Sequence, residues 1–263
     1  MTDPAVISQL QRWVRERFGI VYAEAQRDSF VQRVEGLCHD AKLAPDALLS
    51  RVSTGDDVLA RRLGDVVSVN HTYFFREPEA FEHLARVALP AVSAGPVRIW
   101  SAASSSGEEA YSIAITAQEA LGPSATSRVR ILGTDISQRA LEHAEAGLFS
   151  AVQLEGMDPG RRLCWFAPRV PDRVEVAPAL REMCTFRRLN LTRAPWPFAQ
   201  RFHVIFLRNV LYYFEREARE QIMASTWENA EPGAWLVTSL TEPLFDVKSR
   251  WQAVRPAVYR KAL

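Results

Sequence analysis

Val97-Arg98-Ile99-Trp100-Ser101-Ala102-Ala103-Ser104-Ser105-Ser106-Gly107-Glu108-Glu109-Ala110-Tyr111-Ser112-Ile113-Ala114 reads as strand, tight loop and helix. The apolar run Val97 to Trp100 gives way to small residues from Ser101 to Gly107. Ala110, Ile113, Ala114 and Ala117 then recur at helical spacing. Such a unit delivers a ligand to a helix N-terminus at the end of a strand. Small side chains let the backbone come close, and Gly107 alone in the loop takes positive φ freely. Glu108 and Glu109 stand where a phosphate-binding loop would carry no acid, which points to a ligand offering hydroxyls or positive charge. A plain strand–turn–helix unit has the same outline, so the rest of the chain must decide.

Downstream, the α/β pattern continues. Strand Val129–Thr134 ends on Asp135, and a helix follows from about Gln138 to Ala146. A carboxylate at that strand end can accept both hydrogen bonds of a ribose diol. It could equally cap the next helix, although Ser137 is placed for that task. Residues 149–188 interrupt the alternation: Leu163–Phe166, Arg173–Val176 and Met183–Arg187 look extended, separated by Asp158-Pro159-Gly160 and Pro171-Asp172 turns. They predict a small antiparallel insert whose Arg excess suits an acidic protein or a solvated surface. Phe202–Leu207 fits a buried parallel strand, with Arg208-Asn209-Val210 at its C-terminal end. A helix from Glu217 to Ala230, a strand Trp235–Ser239 and a last strand near Ala257–Lys261 complete the reading.

Upstream, the first 67 residues carry only helical periodicities. Ile7, Leu10, Val14 and Phe18 share one face, and Phe30, Val34 and Leu37 another; shorter helices fit Pro45–Val52 and Asp56–Val67. Arg27 and Arg33 bunch on the second helix, a solvated face or a stripe for an acidic partner. Asn70-His71-Thr72-Tyr73-Phe74-Phe75-Arg76-Glu77 is too apolar for a solvated linker and too irregular for an amphipathic helix; it reads as an aromatic plug between two domains, or as one that also floors a cleft and aims Arg76 into it. Pro78 suits the first turn of a helix running to about Ala88. Net charge of +1 over 263 residues gives no global field for nucleic acid or an anionic membrane. Cys38, Cys164 and Cys184 form neither a zinc-ligand pattern nor a disulfide framework. No apolar run approaches the roughly 20 residues of a membrane span, and the first residues lack a signal-peptide pattern. A cytoplasmic protein is expected.

Five stretches, in order, resemble one family. They are Asn70-x-Thr72-x-Phe74-Phe75-Arg76, the loop Ile99 to Ser112, Gly133-Thr134-Asp135-Ile136-Ser137, Asn190-Leu191, and Arg208-Asn209-Val210-x-x-Tyr213-Phe214. Together they are similar to the CheR-type chemoreceptor (methyl-accepting chemotaxis protein) glutamate O-methyltransferases. The resemblance implies an α/β, Rossmann-like S-adenosylmethionine-dependent methyltransferase domain with a small antiparallel β-subdomain, preceded by a helical N-terminal domain. The expected division is 1–69 helical domain, 70–90 linker and connecting helix, and 91–263 methyltransferase domain with 149–188 as the insert.

What the family implies for the site is specific. Thr72, Arg76, Ala103, Glu109, Asp135, Asn190, Leu191, Asn209 and Val210 should line the site for S-adenosylmethionine and its product S-adenosylhomocysteine. Arg76 and Tyr213 should stand at the reacting end, with no metal. Glu108 is expected to be structural. The partner would be the cytoplasmic helical bundle of a chemoreceptor, met by Arg27 and Arg33 and by the basic β-subdomain, with the enzyme a monomer. Ser106 and Ala110 replace the family's usual Thr and Pro, and Gly233-Ala234 a Gly-Gly pair. Ser239-Leu240-Thr241-Glu242 replaces Gly-[His/Tyr]-Ser-Glu and keeps only the acid. The insert lacks the Gly-rich loop of members that grip a receptor's C-terminal pentapeptide, so tethering is not expected. A glutamate carboxylate, with pKa about 4.3, is already ionised at neutral pH and needs no general base. The rival readings are a non-catalytic module that senses the same cofactor, and an NAD-dependent dehydrogenase. The missing G-x-G-x-x-G counts against the dehydrogenase.

Overall fold

The computed structural model describes residues 3–92, 95–170 and 172–263, with Val170 by its backbone alone. Four helices come first: α1 (Pro4–Phe18), α2 (Arg27–Ala41), α3 (Pro45–Ser53) and α4 (Asp57–Val67). Three of them, α1, α3 and α4, begin where the sequence supplies a start signal. Asp3 caps α1 by accepting from the Ala5 N–H, Pro45 opens α3, and Asp56 accepts from the Leu59 N–H at the head of α4. Gly19 ends α1 in the left-handed region at φ 75°. The apolar stripes meet in one core of Leu10, Val14, Phe30, Val34, Leu48 and Leu63. Burying each such side chain contributes roughly 1.5–3 kcal/mol.

The α/β unit is a seven-stranded sheet in the order β6-β2-β1-β7-β8-β10-β9. The strands are β1 (Val97–Ala102), β2 (Val129–Asp135), β6 (Cys184–Arg188), β7 (Phe202–Leu207), β8 (Ala230–Val237), β9 (Gln252–Arg255) and β10 (Val258–Arg260). The first five in spatial order are parallel, and β10 and β9 add on antiparallel to close that edge. β1 and β7 lie at the centre, buried on both faces, which explains their unbroken apolar runs. Strand order reverses about β1, so a crevice opens at the carboxyl ends of β1 and β7.

A three-stranded antiparallel sheet stands beside this unit, formed by β3 (Leu148–Ser150), β5 (Arg173–Val176) and β4 (Phe166–Val170). The predicted extended stretch Leu163–Phe166 is instead mostly helix Pro159–Trp165. Asp158-Pro159 is an N-cap followed by a first-turn proline, the Asp158 carboxylate accepting from the Arg161 N–H at 3.0 Å, and not a hairpin turn. Met183–Arg187 also differs: Cys184–Arg188 pairs parallel to β2 and is the edge of the main sheet. The Pro171-Asp172 turn falls partly outside the described residues.

Candidate active site

Four segments converge at the carboxyl end of the sheet. The linker 70–76, the loop after β1, the end of β2 with residues 189–191, and the turn after β7 border one cleft of about 930 Å³, part of it open to solvent. All ten residues expected at the site, Thr72, Arg76, Ala103, Glu109, Asp135, Asn190, Leu191, Asn209, Val210 and Tyr213, line it. Phe18 and Ile20 of the helical region complete the wall.

The loop is shaped by its backbone. Ala103, Ser105 and Gly107 take φ of 60°, 51° and 97° before the helix Glu108–Leu121 begins. Two non-glycine residues in the left-handed region cost local strain, and small side chains keep that cost low. Gly107 has a second constraint, because a Cβ there would stand 2.7 Å from the Ala144 Cβ. Asp135 ties the loop to the next strand: one carboxylate oxygen accepts from the Ser105 N–H and the other from the Ser137 N–H, each at 2.9 Å. Ser137 itself caps the helix Gln138–Ala146 through the Ala140 N–H, so Asp135 is not that helix's side-chain cap. Burial pushes the Asp135 carboxyl above its usual range, against those two backbone bonds. The Ser105 hydroxyl is buried with no protein partner and borders the same cleft.

Glu109 enters from the first turn of the helix. Its carboxylate accepts from the Ser101 hydroxyl at 2.7 Å and from Arg208 Nη1 at 2.9 Å. Burial raises its pKa, with the Arg208 guanidinium pulling the other way. Glu108 faces elsewhere, bound by the Ser106 hydroxyl and by Gln153 of the segment after β3, a structural role.

Arg208 lines the same cleft and is the residue there to which sequence reasoning gave no role. Its side chain is 1% exposed, lies over the Phe81 ring, and joins Glu109, Glu77 and the Arg76 carbonyl, to which Nη2 donates a short hydrogen bond. A fully buried cation survives only with such partners. Glu77 extends the network, accepting from the Ser239 hydroxyl at 2.7 Å and the Leu240 N–H at 3.1 Å. Burial opposes its charge, yet Ser239 and Arg208 hold its carboxyl below the usual range. The signal for both was their adjacency to singled-out residues: Glu77 follows Arg76, and Arg208 precedes Asn209 at a strand end.

The aromatic linker divides as its composition suggests. Phe74 packs edge-on against Phe149 and Phe166 of the small sheet, and Phe75 against Phe81. Tyr73 and Arg76 face the cleft, where the guanidinium lies 5.7 Å from the Tyr73 ring centroid and Nη1 donates to the His71 carbonyl. Tyr213 stands on the same cleft, its carbonyl accepting from the Val21 N–H, and burial pushes its hydroxyl well above the ordinary phenol range. Asn190 lines the cleft with its amide already engaged, donating to the Arg17 carbonyl and accepting from the Thr192 N–H and hydroxyl. Its side chain therefore fixes α1 against this wall.

The donor set suits an adenosyl-amino-acid cofactor: a carboxylate for a diol, a buried acid and an unpartnered hydroxyl, with no phosphate cradle. Among the described residues no His/Cys/Asp/Glu cluster could hold a metal. The fold and this site define an S-adenosylmethionine-dependent methyltransferase. Residues 70–259 match the family model described as CheR methyltransferase, SAM binding domain. The chain is 33% identical over 251 residues to the chemotaxis protein methyltransferase of Vibrio parahaemolyticus, covering 93% of this chain and 91% of that one. It is 42% identical over 164 residues to the probable chemotaxis protein methyltransferase of Rhizobium etli, covering 59% and 61%. The chain belongs to the CheR methyltransferase family.

Proposed function

We propose that this chain esterifies glutamate side chains of chemoreceptors with the methyl group of S-adenosylmethionine, using the two ends of the cleft for the two substrates. The observation that carries the reading is the convergence of all ten expected residues on one cleft. Asp135 accepts from the ribose hydroxyls, Glu109 draws the cofactor's amino group, and Asn209 and Val210 flank it beside the end of β7. Bound S-adenosylmethionine supplies the methyl as an electrophile on a sulfonium. The chain's own task is proximity and orientation of the acceptor carboxylate. Arg76 holds that carboxylate through the oxygen that does not attack, since neutralising both oxygens would blunt the nucleophile. Tyr213, kept protonated, supports the same end. No residue has to remove a proton, in keeping with an acceptor ionised at neutral pH.

Residues 1–69 act as a receptor-facing helical domain, 70–90 as the linker and 91–263 as the catalytic domain. Arg27 is the better candidate for the bundle: Arg33 donates through Nη1 to the Val66 and Ser68 carbonyls and holds the end of α4. The basic β-subdomain is also partly spent on internal pairs, Arg161 with Glu119 and Arg181 with Glu175. The enzyme works as a cytoplasmic monomer without pentapeptide tethering. One experiment tests the reading: titrate the protein with S-adenosylmethionine, S-adenosylhomocysteine and NAD, then follow tritiated methyl transfer to receptor cytoplasmic fragments. Binding of the first two with base-labile tritium on glutamate supports it. Binding without transfer would instead make the chain a sensor of the cofactor.

A further inference from the structure

The acid retained from an otherwise altered motif, Glu242, has a role that the cleft alone does not reveal. Its residue is 5% exposed, and its carboxylate turns toward the backbone after β7. One oxygen accepts from the Asn209 N–H at 2.5 Å; the other accepts from the Leu211 N–H at 2.6 Å and the Tyr212 N–H at 3.3 Å. Asn209 sits in the left-handed region at φ 56°, which bends the chain so that these N–H groups converge on one point. Successive N–H groups arranged in this way form a concavity that favours an anion. Here the anion is supplied from within the chain, 33 residues downstream of Asn209. Glu77 has the Arg208 guanidinium opposite it, whereas the hydrogen bonds recorded for the Glu242 carboxylate all come from that backbone.

We propose that Glu242 is a positioning residue for the methyl donor: its carboxylate holds the strained turn 209–212 in the one conformation that presents Asn209 and Val210 to the cofactor. The inference rests on the assignment of those two residues to the donor end. An amide in place of the acid keeps the volume and one acceptor, but it turns an N–H₂ toward a backbone N–H. The turn then relaxes out of the left-handed conformation, and the two side chains move with it. Because Glu242 does not line the cleft, the effect reaches the donor through the backbone of the turn.

The test compares E242Q and Glu242→Ala with Thr226→Val, which removes the buried Thr226 hydroxyl that accepts from Trp251 Nε1 and donates to the Met223 carbonyl, both outside the turn. S-Adenosylhomocysteine affinity is measured by calorimetry well below each melting temperature, and KM is measured for donor and receptor fragment separately. The expected result is at least a tenfold loss of affinity and rise in donor KM for E242Q, larger for Glu242→Ala, with acceptor KM within twofold. Thr226→Val is expected to lower the melting temperature while leaving affinity within twofold. The wild-type amide protons of Asn209 and Leu211 should resonate far downfield and move in E242Q. E242Q binding within twofold of wild type overturns the inference. Wild type that binds no S-adenosylhomocysteine overturns the assignment of the cleft as well. Should neither Glu242 variant fold, amide exchange of Asn209, Leu211 and Tyr212 in the wild type decides: it must slow on adding S-adenosylhomocysteine, and unchanged exchange overturns the inference.

Discussion

The proposed donor end and the proposed acceptor end of this cleft are built differently. At the proposed donor end, Asp135, Glu109 and Arg208 are each fixed by two or more hydrogen bonds or ion pairs, those of Asp135 buried and the others partly buried. At the proposed acceptor end, Arg76 is partly exposed, with a bond to one carbonyl and a ring beside it. The cofactor is a constant small molecule, and a rigid, preorganised site loses little on binding it. The acceptor is a side chain carried on another protein, and a long guanidinium with free donors can meet it at slightly different approaches. A site can thus be closed around one substrate and left adjustable for the other.

The sharpest way to break that contrast is Arg76→Ala. We expect kcat/KM for the receptor to fall by about 10³-fold, the loss of one charge-assisted contact plus acceptor orientation. S-Adenosylhomocysteine affinity by calorimetry should stay within a few-fold; a collapse there would move Arg76 to the donor end. Asp135→Ala is its counterpart. It removes the ribose acceptor and frees the Ser105 and Ser137 N–H groups, so cofactor affinity should drop about 100-fold, while saturating donor restores acceptor KM.

Lowering pH separates chemistry from stability. Burial raises the pKa of Asp135 and Glu109, so as pH falls through those raised values both acquire protons and donor affinity weakens. Their effect on stability runs the opposite way, because a folded state that binds protons more tightly gains as pH falls. His83 provides the acid-limb loss. Buried against Trp235 with Nε2 unpartnered, it has its pKa lowered from 6.5 to about 4, first by burial and then by Arg255. Its neutral form contributes stability that is complete above pH 6.5 and is lost as pH falls toward 4, on the order of 2–3 kcal/mol. In His83→Phe this slope in thermal stability should vanish between pH 6.5 and 4, while the pH dependence of donor binding stays. The smallest expected effect is Gly19→Ala. A Cβ there would lie 2.5 Å from Thr192 Cγ2, in a left-handed residue between the helical wall and the cleft. About 1–2 kcal/mol of stability should be lost, with a modest weakening of donor binding, read by calorimetry.

The cleft was readable where one local pattern named both residue and place. Asp135 ends a strand, Glu109 opens a helix, and Arg76 follows an aromatic run. Arg208 was not readable in that way, because a buried cation looks like any surface arginine until its carboxylates arrive from residues 77 and 109. Glu242 was visible only as an acid persisting in an altered motif. The strand Cys184–Arg188 was assigned to the insert because an edge strand with one half-exposed face has the same alternation wherever it pairs. Asp158-Pro159 is ambiguous for a related reason, since the same two residues can begin a turn or a helix.

One bond crossing the molecule has a practical consequence. Asp65, on α4, accepts from the Gln138 N–H at 2.6 Å and the Arg139 N–H at 3.4 Å, at the start of the helix that follows Asp135. The catalytic half therefore borrows a helix cap from the half expected to face the receptor, just as its cleft borrows Phe18 and Ile20. Grafting a foreign recognition module onto residues 70–263 would deliver an enzyme whose Gln138 and Arg139 N–H groups have lost their acceptor, leaving Ser137 as the helix's side-chain cap, and whose cleft has an open wall. A working chimera has to carry α1 and α4 along with the catalytic half.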